Sequence, residues 1–134
     1  MIRWRPADAG AWAFAWVWFA AAVAAPLVAW AWLRLGTPTP GCALHRLTGY
    51  PCPTCGSSRA VVALLSGHPL RALSWNPLVV SAMAAFELGG LVAPLWLAAG
   101  GRVPVLEGRL PWWARIGALA VVLLNWAYLV IRGV

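Results

Sequence analysis

Two cysteines lie three positions apart in the run Cys52-Pro53-Thr54-Cys55, which is followed by Gly56 and a short apolar segment. Thiols at this spacing ahead of a helix can cycle between dithiol and disulfide, because the positive end of the helix dipole favours the thiolate. The same turn can also direct both sulfurs at one metal ion, since glycine lets the backbone turn sharply. The spacing alone leaves redox chemistry and metal binding open.

A third cysteine and a histidine precede this motif. Cys42 and His45 form a Cys-x-x-His pair, and six residues separate His45 from Cys52. The candidate ligands of a tetrahedral zinc site, which takes four N or S donors, are therefore Cys42, Cys52, Cys55 and His45. His68 is an alternative fourth ligand. Three interpretations stay open: a zinc or other soft-metal site, a redox dithiol, or purely structural thiols, including a static disulfide.

Three further polar residues require a specific environment. Arg59 lies four positions after Cys55 on the same helix face, where it could lower a thiol pKa, bind a lipid phosphate or pair with an acid. Glu87 lies near the middle of an apolar segment, so its carboxyl should be protonated or paired, with Arg59 as the predicted partner. Asn76, followed by Pro77, is typical of a helix N-cap and is expected to anchor the short helix.

The composition indicates that helices in a bilayer position these groups. Of the 134 residues, 63% are hydrophobic and 10% charged, whereas soluble domains are about 45–50% apolar and about 25% charged. A soluble enzyme and a disordered chain are both excluded by these values. The ten basic residues are all arginine and give a formal charge of +7. They flank apolar segments without forming one basic face, which favours membrane borders over nucleic acid.

Three apolar segments are long enough to cross a hydrocarbon core, which takes about 20 helical residues. The predicted spans are about 10–35, 76–98 and 112–131. Residues 36–75 hold the motif loop and a half-helix of about ten residues, too short to span, which should be interfacial or re-entrant. The predicted fold class is an all-α integral membrane protein: three transmembrane helices plus this short helix, in one domain over residues 1–134.

The segments that connect the spans are predicted to be irregular, Gly36 to Tyr50 as a loop and Gly100 to Pro111 as a polar turn. Three crossings place the N-terminus and the second connection on one face, and the cysteine motif and C-terminus on the other. Five arginines border each face. The positive-inside rule therefore gives a cytoplasmic N-terminus only if Arg59 belongs to a site. The first span is interpreted as a retained anchor, because it is too long for a signal peptide.

The motif region resembles a known family. The residues that carry the resemblance are Cys42, Arg46-Leu47-Thr48-Gly49, Cys52-Pro53-Thr54-Cys55-Gly56-Ser57-Ser58-Arg59-Ala60 and Asn76-Pro77-Leu78. They resemble the small bacterial membrane proteins of domain of unknown function 2752, in which a Cys-Pro-x-Cys-Gly-x-Thr-Arg-Ala motif precedes an Asn-Pro pair. Ser58 replaces the threonine of that pattern and keeps its hydroxyl, whereas His45 is not one of its positions. The resemblance implies a shared site of three cysteines and one arginine, with no reaction attached.

These observations predict a multi-pass protein of a bacterial cytoplasmic membrane with the cysteine turn as its functional centre. The first hypothesis is a membrane-surface three-cysteine site that binds metal, with zinc as candidate cofactor, or is structural, without enzymatic activity. The second is a membrane thiol-disulfide oxidoreductase in which Cys52 or Cys55 attacks a partner disulfide and Cys42 resolves it. The third is a non-catalytic subunit or scaffold of a membrane complex. The expected partners are the lipid bilayer and another membrane protein or a second copy, without nucleic acid.

Overall fold

A computed structural model describes residues 2–36, 41–106, 108 and 110–133 of the chain. The predicted connections therefore lie partly outside the described residues, at positions 37–40, 107 and 109. In chain order the elements are β1 Ile2–Arg5, α1 Ala9–Arg34, α2 Ala43–Thr48, α3 Ser57–Leu65, α4 Pro69–Trp75, α5 Pro77–Ala98, β2 Val103–Leu106 and α6 Trp112–Arg132.

Three helices are long and apolar enough to cross a membrane. They are α1, α5 and α6, with 26, 22 and 21 residues and mean hydropathies of 1.8, 1.8 and 1.9. At 1.5 Å per residue these lengths are about 39, 33 and 32 Å, enough for a ~30 Å hydrocarbon core. The predicted fold class is confirmed, and the helix boundaries differ by one residue or less from the predicted spans.

Local sequence signals explain where two of the spans begin. The Asp8 carboxylate accepts a 2.7 Å hydrogen bond from the Ala11 N–H at the start of α1. At the start of α5, the Asn76 side-chain oxygen accepts from the Val79 N–H at 3.1 Å, and Pro77 occupies the first turn. Each contact satisfies a backbone donor that the helix itself leaves unpaired. Asn76 therefore caps α5, as its position before Pro77 suggests.

Helices α1 and α5 pack closely because α5 has two adjacent glycines at the contact. A Cβ built on Gly90 would lie 2.6 Å from the Ala22 Cβ and 3.0 Å from the Trp18 carbonyl oxygen. A Cβ on Gly89 would overlap the Trp18 indole. Small residues allow this approach in lipid, where van der Waals packing takes over the role that water exclusion has in soluble proteins.

A two-stranded antiparallel sheet joins the N-terminus to the connection between α5 and α6. Ile2 pairs with Leu106, and Arg5 pairs with Val103. The prediction of a polar turn over Gly100 to Pro111 was therefore incomplete, because strands of four residues leave no periodic signal in the sequence. The pairing places the N-terminus and this connection at the same end of the bundle, as the three-span prediction requires.

The prediction of an irregular loop from Gly36 to Tyr50 was wrong for residues 43–48, which form α2. Cys42 is its N-cap, with a sulfur that accepts from the His45 N–H at 3.4 Å. Gly49 ends the helix in a left-handed conformation at φ 75°, and its N–H donates to the His45 carbonyl. The flanking glycines and prolines indicated a loop, although a capped helix of six residues fits between them.

Helices α3 and α4 form a small pair that packs against the start of α5. Its buried cluster consists of Ala60, Ala63, Ala72 and Val80, with Leu64 and Trp75 partly covering it. Ala60 and Ala72 are fully buried, and their small side chains let the two short helices approach closely. The predicted half-helix is thus α3, and α4 returns the chain to the membrane span that follows.

Candidate metal centre

The Cys-x-x-Cys motif forms a tight turn that leads directly into α3. The Cys55 N–H donates to the Cys52 carbonyl at 2.9 Å. Gly56 then adopts φ 82° as the N-cap of α3, a left-handed conformation that costs glycine little. The sharp reversal keeps both thiols on one side of the turn, as the sequence predicted for a Cys-Pro-x-Cys-Gly segment.

Three sulfur atoms meet beside this turn. The Cys42 and Cys52 sulfurs are 3.3 Å apart, and the Cys52 and Cys55 sulfurs are 3.5 Å apart. All three lie within 4.8 Å of one another, and all three cysteines are free thiols. Helix α2 brings Cys42 to the motif, because its N-terminus lies against the turn. The structure therefore gathers the three cysteines that the sequence singled out.

The three thiols have different surroundings. The pKa of Cys42, which is half-buried, is lowered to about 6 by the hydrogen bond from the His45 N–H and by contacts with the neighbouring thiols. Burial raises the pKa of the Cys55 thiol to about 12, and the adjacent Cys42 thiol acts in the same direction. The Cys55 sulfur also accepts from the Cys52 N–H at 3.1 Å. Cys42 is thus the accessible thiolate of the cluster, and Cys55 is its buried, protonated thiol.

Neither histidine joins the three sulfurs. Among the described residues, the group of possible ligand atoms within 4.8 Å contains only the cysteines. His45 contributes its backbone N–H to Cys42 and lines the neighbouring cavity. His68 instead precedes α4 as its N-cap residue. A histidine as fourth ligand would require the His45 ring to move toward the sulfurs.

Two buried asparagines hold the cysteine turn from behind. The Asn76 amide, which is fully buried, donates to the Pro53 carbonyl at 3.1 Å and to the Cys55 carbonyl at 2.9 Å. Asn125 of α6 donates to the same Pro53 carbonyl at 3.2 Å, and its side-chain oxygen accepts from the Leu78 N–H. Buried carbonyls need such partners. The two amides connect the turn to α5 and α6, and this arrangement is called the asparagine clamp below.

The C-terminal half of α6 supplies further contacts that the sequence did not reveal. The Trp126 indole N–H donates to the Pro51 carbonyl at 2.7 Å. The Tyr128 hydroxyl and the Arg132 guanidinium both donate to the Ser74 carbonyl, at 2.9 and 3.4 Å. No local pattern distinguishes a tryptophan that contacts a distant carbonyl from one that contacts lipid at the membrane interface.

Arg59 and Glu87, the predicted ion pair, do not pair. The Arg59 guanidinium lies over the Trp75 ring, 4.8 Å from its centroid. Glu87 is half-buried on α5, and no ion pair to it occurs within the described part of the chain. Eleven helical residues separate Glu87 from Asn76, which corresponds to about 16 Å along the axis. That separation explains why the carboxyl stays far from the short helix that carries Arg59.

A cavity of about 560 Å³ opens beside the sulfurs. Its wall includes the three cysteines, His45 and the first turn of α3, together with two basic side chains, Arg46 and Arg59. A cavity of roughly 300–1,000 Å³ with a few polar groups is typical of a small-ligand site. Any ion held by the three sulfurs would therefore face a basic cavity.

Comparison with known proteins agrees with this location. Residues 42–90 match the family described as "Protein of unknown function (DUF2752)", which confirms the resemblance seen in the sequence. A search of curated proteins and a search of solved structures each found no match. The cysteine cluster, Arg59 and Asn76 thus all lie in the part of this chain, residues 42–90, that matches the DUF2752 family.

Proposed function

We propose that this chain is a multi-pass protein of a bacterial cytoplasmic membrane that binds one soft metal ion, zinc, through Cys42, Cys52 and Cys55. One observation carries the proposal: the free thiols of Cys42, Cys52 and Cys55 lie within 4.8 Å of one another. Thiolates are the ligands that zinc prefers, and the hydrogen bond from the His45 N–H favours the thiolate form of Cys42. The metal would join α2 to the motif turn at the membrane surface.

The sulfur spacing supports a shared ion. Zinc binds thiolate sulfur at about 2.3 Å in tetrahedral geometry, which separates two ligand sulfurs by about 3.8 Å. Two separations, 3.3 and 3.5 Å, are shorter than this value by 0.5 Å or less, and the third does not exceed 4.8 Å, so small side-chain rotations would reach the spacing. Three protein ligands would leave one of the four positions for a further ligand, and the three cysteines line the basic cavity. Water, the His45 ring after a side-chain rotation, or an exogenous ligand could fill that position.

The test is to measure metal content and free thiols on one gently solubilised sample of the full chain. We expect about one zinc per chain, and we expect Cys52→Ser to lose it. His45→Ala and His68→Ala form a matched pair: a lower zinc affinity in the first alone would identify His45 as the fourth ligand. A metal-free sample that takes up no zinc when its thiols are reduced would overturn the proposal.

A membrane thiol-disulfide oxidoreductase is the second candidate, and the same distances favour it. Sulfurs at 3.3 and 3.5 Å need a small movement to reach the about 2.05 Å of a disulfide. Two thiols of this chain would lose two protons and two electrons to a partner disulfide, which would become two thiols. A metal-free protein with one disulfide, reducible near the potential of the cellular thiol pool, would favour this candidate over zinc.

We also propose that the cluster lies on the face of the membrane opposite a cytoplasmic N-terminus. The proposal rests on counting Arg59 with the site, which leaves five arginines at the N-terminal face against four at the other. An impermeant thiol reagent added outside should then label Cys42 in right-side-out vesicles, which expose the non-cytoplasmic face. It should not label Cys42 in inverted vesicles. Labelling of Cys42 only from the cytoplasmic side would reverse the orientation.

A further inference from the structure

Two cavities of opposite character meet at Ser58. The first is the basic cavity beside the sulfurs, and the second is an apolar groove of about 560 Å³ between α1 and α3. Ser58, on the first turn of α3, lines both. A ligand that passes Ser58 would therefore have one end among charged and polar groups and the other end among aliphatic side chains.

The polar end carries positive charge. Arg46 and Arg59 line it, and no carboxylate is among its lining residues. If the three thiolates hold a divalent ion, that centre has one net negative charge, which the two arginines exceed. Guanidinium groups bind phosphate oxygens in paired, charge-assisted hydrogen bonds, and the first turn of α3 adds the positive end of its dipole. This end of the site is complementary to a phosphate group.

The apolar end has the length of one membrane leaflet. The groove is lined by α1 residues from Ala21 to Leu33 and, from α3, by Val61 and Val62. Twelve helical steps correspond to about 18 Å, slightly more than half of a ~30 Å hydrocarbon core. Ala21 lies at the middle of the 26-residue α1, so the groove runs from the centre of the bilayer to the level of Trp32.

We propose that these two cavities bind one anionic phospholipid, with its phosphate beside Arg46 and Arg59 and one acyl chain in the groove between α1 and α3. Basic sites between transmembrane helices recognise lipid head groups by the same chemistry. The inference goes beyond the metal site and does not require a metal, because the two arginines and the apolar groove carry it. The lipid phosphate would lie beside the cysteine cluster, because Arg46 and Arg59 line the same cavity as the three cysteines.

Native mass spectrometry of the full chain, released from detergent micelles, tests the proposal directly. Phosphatidylglycerol and phosphatidylcholine with identical acyl chains are titrated separately, and a third sample receives inorganic phosphate as competitor. We expect one retained phosphatidylglycerol per chain. Both lipids present a phosphate, but the positive choline of phosphatidylcholine would lie near Arg46 and Arg59, so phosphatidylglycerol should bind about tenfold more tightly. Equal retention of the two lipids, or full displacement of phosphatidylglycerol by inorganic phosphate, would overturn it.

Matched variants locate the bound lipid. Val28→Trp fills the groove, whereas Val23→Trp makes the same change at an exposed position of α1 that does not line it. Arg59→Gln removes a charge from the cavity, and Arg71→Gln removes one from the exposed face of α4. We expect only Val28→Trp and Arg59→Gln to lose the lipid. Equal retention in all four variants contradicts the assigned site.

Folding and metal binding are checked on the same samples. Circular dichroism identifies variants that fail to fold, and Val61→Trp fills the groove from the α3 side if Val28→Trp does not fold. Zinc content separates the two proposals. Wild-type chain that holds zinc but no phosphatidylglycerol overturns the lipid site alone. Wild-type chain that holds phosphatidylglycerol but takes up no zinc when its thiols are reduced overturns the metal site alone and supports the lipid site.

Discussion

The interface between α1 and α5 and the cysteine turn are held together by different forces. At the first, Gly90 lies against the Ala22 side chain and the Trp18 backbone, and the small size of Gly90 and Ala22 allows a close contact. At the second, the amides of Asn76 and Asn125 donate to the carbonyls of the turn. The packing of α1 against α5 depends on the volume of the side chains at the contact. The geometry of the cysteine turn depends on amide hydrogen-bond donors at fixed positions.

This difference shows how a small membrane protein can hold reactive groups in a fixed geometry. Lipid-facing helices contribute little specificity to one another, because lipid tails are as apolar as their side chains. Backbone carbonyls that cannot reach water require a partner, and few positions can supply one. The asparagine clamp therefore fixes the sulfur positions, and the glycine contact fixes only the distance between two spans.

The largest expected effect is a difference in thiol reactivity inside the cluster. In reduced, metal-free protein at pH 7, Cys42 should alkylate at least about 100-fold faster than Cys55, because a pKa of about 6 leaves it mostly thiolate while a pKa of about 12 keeps Cys55 protonated. Timed iodoacetamide labelling with peptide mass mapping measures both rates.

The pH dependence of labelling follows from the same values. Cys42 labelling should already be near its plateau at pH 7 and should fall as the pH drops through about 6. An ordinary thiol continues to accelerate up to about pH 8.5. Equal rates for Cys42 and Cys55, or a Cys42 profile centred near pH 8.5, would contradict the arrangement described.

The asparagine clamp should contribute the largest single side-chain effect on stability. Asn76→Ala leaves the Cys55 carbonyl without that donor and removes the cap of α5, which should cost about 3 kcal/mol. Reversible unfolding in mixed detergent micelles, followed by circular dichroism, measures the loss. Asn76→Ser keeps a capping oxygen and should recover about 1 kcal/mol. Zinc binding should weaken in both variants, and wild-type affinity in either would argue against the clamp.

Substitution at the glycine contact should cause the next largest loss of stability. Gly90→Ala places a methyl group 2.6 Å from the Ala22 Cβ, and the forced separation of α1 and α5 should cost about 2 kcal/mol. Gly117→Ala in α6 is the matched control, because nothing lies within 4 Å of its new Cβ, and it should stabilise by up to about 1 kcal/mol. Zinc content should not change in either variant. A metal loss in Gly90→Ala would mean that the two regions are coupled.

The smallest effect is expected from a single indole hydrogen bond. Trp126→Phe removes the donor to the Pro51 carbonyl and should cost about 1 kcal/mol in the same unfolding assay. Trp113→Phe, at an exposed position on α6, is the control and should change stability by less than about 0.5 kcal/mol. Indistinguishable midpoints for the two variants would remove Trp126 from the set of contacts that hold the turn.

Sequence reasoning succeeded where the signal is local. The span boundaries follow from apolar length, and the cap at Asn76 follows from residue type. The three cysteines were identified as a candidate site from their spacing. Sequence reasoning failed for α2 and the small sheet, because elements of four to six residues have no periodicity to detect. The predicted pairing of Arg59 with Glu87 ignored the distance along α5.

The sequence by itself determined that the chain has three segments long and apolar enough to cross a membrane and where its thiols are concentrated, since composition and spacing are properties of the chain. Only the tertiary structure decided that Cys42 joins the motif, that amides from α5 and α6 hold the turn, and that a basic cavity meets an apolar groove at Ser58. The Cys42 and Cys52 sulfurs meet across 10 positions of the chain, and the side-chain hydrogen bonds to the turn join residues 21 to 75 positions apart. Such contacts form when the spans pack together. No local sequence pattern predicts which carbonyl will accept a hydrogen bond from a buried donor.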